Sequence, residues 1–397
     1  MPRITASSAF SHLRVLDLSR VRAGPSCVRQ FADFGADVIK IESPPGVDPN
    51  DGMGGARSGS DFQNLHRNKR AITLNLKLDE GKEVFARLAR SADVVVENYR
   101  PDVKYRLGVD YASLERINPR LILASISGFG QDGPYVERPG FDQIAQGMSG
   151  LMSVTGFPGQ GPVRSGAAIA DVSAGLFAAL GIMTALIERE RSGRGQWVQS
   201  SLLHAGIALA DFQAARYLKE GEVPPQVGND HPTSMPTSAY RTADGHINVA
   251  AAGDGMWQRL CKAIGREALL ARAEFKDQPL RAKNRVALNA EINTALATRK
   301  SAEWVVALNE AGVPCGPIYA MDQVFADPQV QHIKAAAEVK HPTLGAFRVV
   351  NQAATLSRTP ASMASATPEL GEHTDEVLAE LGYTPEQIEG LRARKVV

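Results

Sequence analysis

The feature that most restricts the fold is the alternation of strand-like and helix-like segments over the first 130 residues of this 397-residue chain. Short apolar runs typical of buried strands alternate with segments whose apolar side chains recur at helical spacing, as at Val84, Phe85 and Leu88. The predicted strands are residues 13–19, 37–43, 71–76, 93–99 and 121–127, and the predicted helices are 25–34 and 80–92. Strands joined by crossover helices predict an α/β protein with a mostly parallel sheet covered on both faces.

A segment rich in Pro, Gly, Asn and Thr, residues 221–236, predicts a domain boundary. Beyond it, Ala243, Asp244 and Gly245 form a turn signal that predicts a hairpin. The other predicted elements are a long helix over 168–189, a strand over 196–201, a helix over 202–218, hairpin strands over 239–242 and 246–251, helices within 256–312, extended chain over 314–321, short strands within 339–358 and a helix over 372–381.

Composition excludes several classes of protein. The net charge of +1 gives no electrostatic basis for binding nucleic acid or a membrane surface. Three separated cysteines and eight histidines show no disulfide framework and no metal-ligand spacing. The N-terminal residues lack the apolar stretch of a signal peptide, and we expect a cytoplasmic protein.

Asp171 is the candidate catalytic residue because it stands alone at the head of an apolar run. No charged side chain occurs from 172 to 187, and small residues around Asp171 leave room for a ligand. A carboxylate that enters a buried segment is costly unless it is paired or used chemically. Two interpretations remain open from this segment alone: a nucleophile favoured by the positive end of a helix, or an ordinary N-cap aspartate.

Residues 128–133 match the pattern G-x-G-x-x-G and follow a predicted strand. A dinucleotide-binding turn must also open a helix, and Pro134 and Pro139 interrupt any helix at this point. The pattern therefore favours a loop over a nucleotide site.

A basic cluster, His66 to Arg70, precedes the predicted strand 71–76. It is either a solvated loop or a holder for a phosphate-rich ligand. Asn98 and Arg106 follow the strand 93–99, at the edge of the sheet where ligands bind in open α/β folds.

The segment 251–255, with Gly253, Asp254 and Gly255, follows a predicted strand and precedes a helix. Glycines at such a place form either a mobile flap over a ligand or a tight turn.

Eight motifs in order give the chain a resemblance to the class III CoA-transferases, the formyl-CoA transferase and carnitine CoA-transferase group that includes alpha-methylacyl-CoA racemase. The motifs span nearly the whole chain. They are residues 15–19 with 23–25, 35–42, 68–70, 96–99, 127–134, 242–245, 312–317 and 371–374.

The resemblance implies an enzyme that moves CoA from an acyl-CoA thioester to a free carboxylic acid, with no tightly bound cofactor and no metal. Dicarboxylic or hydroxy acids are the expected acceptors, and succinyl-CoA is a common donor in such families. The implied fold is a large Rossmann-like domain plus a smaller α+β domain, in a homodimer whose subunits are interlinked. We expect 1–222 to form the first part of the large CoA-binding domain, 223–330 the small domain, and 331–397 a segment that returns to the large domain.

The family's functional residues fall on definite positions of this chain. The nucleophilic aspartate falls on Asp171, and the flexible glycine loop falls on Gly253, Asp254 and Gly255. The CoA-contacting positions are Arg22, Ala23, Leu74, Asn75, Asn98 and Arg106. In the formyl-CoA enzymes glutamine stands where this chain has Arg22, and an arginine is frequent where it has Ser43.

Two other functions are consistent with the resemblance. A racemase needs an acid–base pair, and in that branch a His-Asp pair stands where this chain has Phe141 and Asp142. Phenylalanine cannot accept a proton, which favours transfer over racemisation. A non-catalytic paralogue would bind CoA and would never form a covalent adduct on Asp171.

Overall fold

A six-stranded, wholly parallel sheet forms the centre of the protein, whose computed structural model describes residues 5–48 and 51–397. The strands are β1 (Arg14–Asp17), β2 (Asp37–Glu42), β3 (Arg70–Thr73), β4 (Val94–Glu97), β5 (Ile122–Ser127) and β6 (Trp197–Ser201). Their order is β3-β2-β1-β4-β5-β6. This confirms the predicted α/β class with a mostly parallel sheet. The prediction was possible because strands buried on both faces appear in the sequence as continuous apolar runs.

Helices cover both faces of this sheet. The helices up to the sixth strand are α1 (Ala23–Asp33), α2 (Ser60–His66), α3 (Asp79–Arg90), α4 (Pro101–Leu107), α5 (Tyr111–Ile117), α6 (Asp142–Met148), α7 (Leu151–Val154) and α8 (Ile169–Ser192). The later helices are α9 (Leu202–Leu209), α10 (Asp211–Glu220), α11 (Asp254–Ala263), α12 (Gln278–Lys283), α13 (Arg285–Leu296), α14 (Ser301–Glu310), α15 (Met321–Ala326), α16 (Pro328–His332), α17 (Thr374–Glu380) and α18 (Pro385–Ala393). Short 3₁₀ turns occur at Asp51–Gly54, Glu267–Ala271 and Ala273–Phe275.

Helices α1 and α8 pack closely on one face of the sheet. A Cβ atom at Gly175 would lie 2.4 Å from the carbonyl oxygen of Ala23, so only glycine allows this approach. By length and composition alone, Ile169–Ser192 could cross a membrane, but half of its apolar window is buried inside the protein. The packing of α8 against α1 and β5 is that of a core helix.

The basic cluster is buried, and both interpretations offered for it are wrong. The Arg67 guanidinium donates to both carboxylate oxygens of Asp33, at 3.0 and 2.7 Å. Lys69 Nζ lies 2.8 Å from Asp17 Oδ2. Arg70 makes a two-pronged pair with Asp37, at 3.0 and 2.8 Å. These partners come from the end of α1, the end of β1 and the start of β2, and Arg70 also pairs with Glu376 and Glu380 of α17, so the cluster is buried and joins several elements.

The described residues form two compact units. The first comprises the chain up to Leu151 together with Arg164–Gly221 and Gln329–Val397; the second comprises Met152–Val163 and Glu222–Pro328. The assignment of 152–163 departs from the prediction that all of 1–222 belongs to the large domain. Its physical reason is a set of hydrogen bonds, in which Gln226 Nε2 donates to the carbonyls of Thr155 and Gly161 at 2.6 and 2.7 Å.

The second unit contains an antiparallel sheet of β7 (Thr237–Arg241), β8 (His246–Ala250) and β9 (Cys315–Pro317), with helices around it. The predicted hairpin is therefore confirmed. A second hairpin, β10 (Ala336–His341) with β11 (Gly345–Val350), belongs to the first unit.

Two helix predictions are wrong in detail. The segment 202–218 forms two helices, because Asp211 has a φ of +43° that a continuous α-helix does not allow. The chain also forms α18 after the predicted terminal helix, and Ile388 and Leu391 of α18 belong to the same buried apolar cluster as Leu16, Ile39 and Val95 of the sheet.

Replacing Arg67 by methionine is expected to lower the free energy of unfolding by about 3–5 kcal/mol, because Asp33 would keep a buried charge without its cation. Urea denaturation measures the change. The control Lys82→Met removes an exposed pair with Asp79 and should cost less than about 0.5 kcal/mol. A loss below about 1 kcal/mol for Arg67→Met would contradict the assignment of a dry ion pair.

Candidate active site

A cavity of about 890 Å³ lies at the carboxyl edge of the parallel sheet. Every strand contributes to it at or just beyond its carboxyl end. The contributing residues are Leu18, Glu42, Leu74, Asn98, Ser127 and Leu202. Open α/β sheets bind ligands at this edge, near the point where the strand order reverses between β1 and β4.

Asp171 reaches the cavity from the first turn of α8. The N-cap of this helix is Ala168, so Asp171 is not the cap residue that one interpretation suggested. The capping carboxylate comes instead from Asp142 of α6, whose Oδ1 accepts hydrogen bonds from the N–H groups of Ala170 and Asp171 at 2.9 and 3.3 Å. Gln146 Nε2 donates to the other oxygen of Asp142 at 2.7 Å and holds it in place. The Asp171 side chain is thereby left to face the cavity.

Burial raises the pKa of Asp171 from its ordinary 3.8 to about 6, and the negative charge of Asp142 adds to this rise. The Arg22 cation acts in the opposite direction and lowers the pKa. Desolvation therefore outweighs the helix terminus that was expected to favour the charged form. At neutral pH the carboxylate is largely ionised, yet it is more basic than a carboxylate in water, which is a suitable state for a nucleophile.

The loop that presents Arg22 is held in a strained conformation. Val21, just before Arg22, has a φ of +62°, which is unfavourable for a β-branched residue. Asn98, which follows the neighbouring strand β4, fixes the loop. Its Oδ1 accepts a hydrogen bond from the Arg20 N–H at 2.8 Å, and its Nδ2 donates to the Arg20 carbonyl at 2.7 Å. The predicted CoA-contacting residue Asn98 thus lines the cavity while its amide is committed to positioning Arg20.

The other positions carried over from the resemblance also line this cavity. They are Ala23, Leu74, Asn75 and Arg106, and Ser43 lies there as well. Asn75 is tied to the chain near its end, with its N–H donating to the Val396 carbonyl at 2.7 Å. Arg106 is largely exposed and pairs with Asp102 one helical turn away, at 3.0 Å. The structure therefore brings Asp171 and all six predicted CoA-contacting residues to one cavity.

The glycine loop belongs to the second unit. Gly253 is the N-cap of α11 with a φ of −73°, a conformation open to any residue. The buried Arg281 side chain donates to Asp254 Oδ1 at 2.6 Å and to the Ala252 carbonyl at 3.3 Å. This loop is pinned at its base, and its role as a cover stays a prediction.

The sequence did not single out several residues of the site. The sequence does not mark Gln146 as a site residue. Its partner Asp142 lies one turn away on the same short helix, and the local sequence does not show how this helix packs. Lys77 and Arg100 also line the cavity. Among the described residues the lining carries five arginines or lysines against three acidic groups, which suits an anionic ligand such as a phosphate-bearing thioester.

The family of the chain follows from comparison with known proteins. The model of CoA-transferase family III matches residues 10–374, and the chain belongs to that family. It is an enzyme of the CoA-transferase class, as its relatives are.

Two curated relatives and one solved structure illustrate the similarity. The chain is 38% identical to a succinate–glutarate CoA-transferase of Agrobacterium fabrum, over 94% of this chain and 95% of the relative. It is 35% identical to a succinyl-CoA–D-citramalate CoA-transferase of Chloroflexus aurantiacus, over 97% of each. A crystal structure of a CAIB/BAIF family protein from Brucella suis has a TM-score of 0.80 and 36% identity, over 93% of this chain and 98% of that one.

Asp171→Asn is expected to stabilise the protein at neutral pH and to have little effect near pH 4. A carboxyl group whose pKa rises on folding contributes stability that is complete below its ordinary pKa of 3.8 and is lost as the pH rises through about 6. Melting temperatures of both proteins between pH 3.5 and 8 measure this. In an Asp142→Asn background, the inflection near pH 6 should move to lower pH, because a like charge is removed. A difference that does not vary with pH would contradict the raised pKa.

Proposed function

We propose that this enzyme moves CoA from succinyl-CoA or a similar acyl-CoA to a free dicarboxylic acid, through covalent intermediates on Asp171. The observation that carries the proposal is a half-buried carboxylate of raised pKa that faces a cavity with a cationic lining. Relatives named for succinyl-CoA, glutarate and D-citramalate support dicarboxylic and hydroxy-dicarboxylic substrates.

The reaction is a sequence of balanced acyl transfers. The Asp171 carboxylate attacks the thioester carbonyl of the donor, the C–S bond breaks, and a mixed anhydride and CoA thiolate form. The thiolate attacks the Asp171 carbonyl, which releases the donor acid and leaves an aspartyl-CoA thioester. The acceptor carboxylate attacks this thioester, the thiolate leaves, and a new anhydride forms. The thiolate then attacks the acceptor's carbonyl, which produces the new acyl-CoA and restores the Asp171 carboxylate.

Backbone geometry limits where the negative oxygens of the tetrahedral intermediates can be stabilised. The N–H groups of Ala170 and Asp171 already donate to Asp142. The donors required in these steps are therefore other groups around the cavity. Asp142 acts through Asp171, and we assign it a positioning role.

A homodimer with interlinked subunits is part of the proposal. Val172, Leu176 and Leu180 follow one face of α8 at intervals of one turn, and all three are exposed on the described chain. Ile144 of α6 and Ile207 of α9 are exposed as well, on helices that pack against α8. Exposed apolar side chains on three helices that pack together support association with a second copy.

A racemase is disfavoured by the residue at the cavity wall before α6. Phe141 is the N-cap of α6 and lines the cavity with its ring about half exposed. It supplies no base for removing a proton next to the thioester.

The covalent mechanism is tested on Asp171. Incubation with succinyl-CoA should leave an adduct on the peptide containing Asp171 that hydroxylamine removes, observed by mass spectrometry. Asp171→Asn keeps the size of the side chain and loses the nucleophile, so it should abolish both adduct and transfer while CoA still binds. Transfer at a near-normal rate in Asp171→Asn would refute the mechanism, and deuterium entering the alpha carbon without an acceptor acid would indicate a racemase.

Dicarboxylate selectivity is tested on Arg22, whose guanidinium can hold the far carboxylate of the acceptor. A charged hydrogen bond of this kind contributes about 1.5–3 kcal/mol. Arg22→Gln should therefore raise the KM for glutarate about ten- to hundredfold, and the KM for pentanoate far less. Equal losses for both acids, or a loss confined to CoA binding, would assign Arg22 to the CoA side of the cavity.

A further inference from the structure

Arg22 has a partner outside the cavity lining. Its Nη2 lies 2.5 Å from Oδ2 of Asp61, which stands in the first turn of α2. The Asp61 side chain is 67% exposed, whereas that of Arg22 is 30% exposed. Arg22 keeps Nε and Nη1 free of partners among the residues that the structure describes. One nitrogen of the guanidinium is thus held by protein, and N–H donors on its other edge remain for another ligand.

Both ends of this ion pair are fixed in the backbone. Arg22 is the N-cap of α1, and its carbonyl accepts the Ser26 N–H at 2.8 Å, while Asn98 holds Arg20 two residues earlier. Asp61 lies on α2, and Gln63 and His66 on the opposite face of this helix are buried. The main freedom that remains lies in the long Arg22 side chain, and ordering such a side chain has a substantial entropic cost.

We infer that Asp61 is a specificity-determining positioning residue, which holds the Arg22 guanidinium ready for the far carboxylate of a dicarboxylic acid. This inference rests on the proposed role of Arg22 in acceptor recognition. Asp61 does not touch the substrate; it removes rotamers in which Arg22 turns to solvent. The two hydrogens on Nη2 face different edges of the planar guanidinium, so Asp61 can occupy one edge while a substrate carboxylate binds the other, and the two partners do not compete.

The test is a double-mutant cycle on the full-length enzyme with succinyl-CoA as donor, and with glutarate and pentanoate as matched acceptors. Asp61→Ala is expected to raise the KM for glutarate about five- to tenfold, with little change in kcat and less than about a twofold change for pentanoate. Asp61→Asn, which retains an oxygen acceptor, should give a smaller rise of about two- to threefold. In the Arg22→Gln background, Asp61→Ala should have no further effect.

Asp375→Ala is the matched control. Asp375 is likewise an exposed aspartate in the first turn of a seven-residue helix and pairs with Arg392, but it does not line the cavity. Its replacement should leave both KM values unchanged.

The outcomes separate the inference from the proposed function. If Arg22→Gln discriminates between the two acids and Asp61→Ala does not, only the role of Asp61 is overturned. A lower KM for glutarate in Asp61→Ala would show that Asp61 competes with the substrate, and an equal effect in the Arg22→Gln background would show that it acts by another route. If Arg22→Gln fails to discriminate, both conclusions fall.

Discussion

The buried ion pairs of the segment Arg67–Arg70 are the constraint on which the site depends. Burial alone would raise the pKa of Asp17, but the Lys69 and Lys40 cations outweigh it and hold the pKa below its ordinary value. Asp17 ends β1 and also accepts hydrogen bonds from Ser19, so the pair with Lys69 fixes the start of the loop that leads to Arg22. Because an unpaired buried charge is costly, these aspartates and cations must stay together, and the strand ends around the cavity keep their places.

The loop from Ser19 to Arg22 connects these buried ion pairs to the cavity. Val21 adopts a left-handed conformation that costs free energy, and such strain persists only where neighbouring contacts over-determine it. The Asn98 amide supplies that constraint with one donor and one acceptor on the Arg20 backbone. Asn98, one of the six residues predicted to contact CoA, therefore also positions the loop that carries Arg22.

The sheet was predictable because buried parallel strands appear in the sequence as short apolar runs. Asp171 was predictable as an unusual residue because it is the only carboxylate beside a long uncharged segment. The basic cluster was not predictable, because its partners Asp33, Asp17 and Asp37 lie 33 to 52 residues away and nothing local distinguishes a buried arginine from a solvated one. The same limit applies to Asp142, which caps α8 across 28 residues of chain. Local patterns show which residues are unusual, whereas pairing over long separations is set by the packed fold.

The electrostatic balance at Asp171 links the proposed nucleophile to the residue proposed for acceptor choice. Burial and Asp142 make the carboxylate more basic, while Arg22 keeps it ionised near neutral pH. A cation at position 22 therefore has two consequences that a glutamine there would not have: it lowers the pKa of Asp171, and it offers charged donors to a second carboxylate. Any anion that Arg22 binds weakens its pull on Asp171 and raises the basicity of that carboxylate. In the proposed mechanism, binding of the acceptor at Arg22 and the reactivity of Asp171 are thus coupled through a single side chain, which Asp61 already holds by one nitrogen.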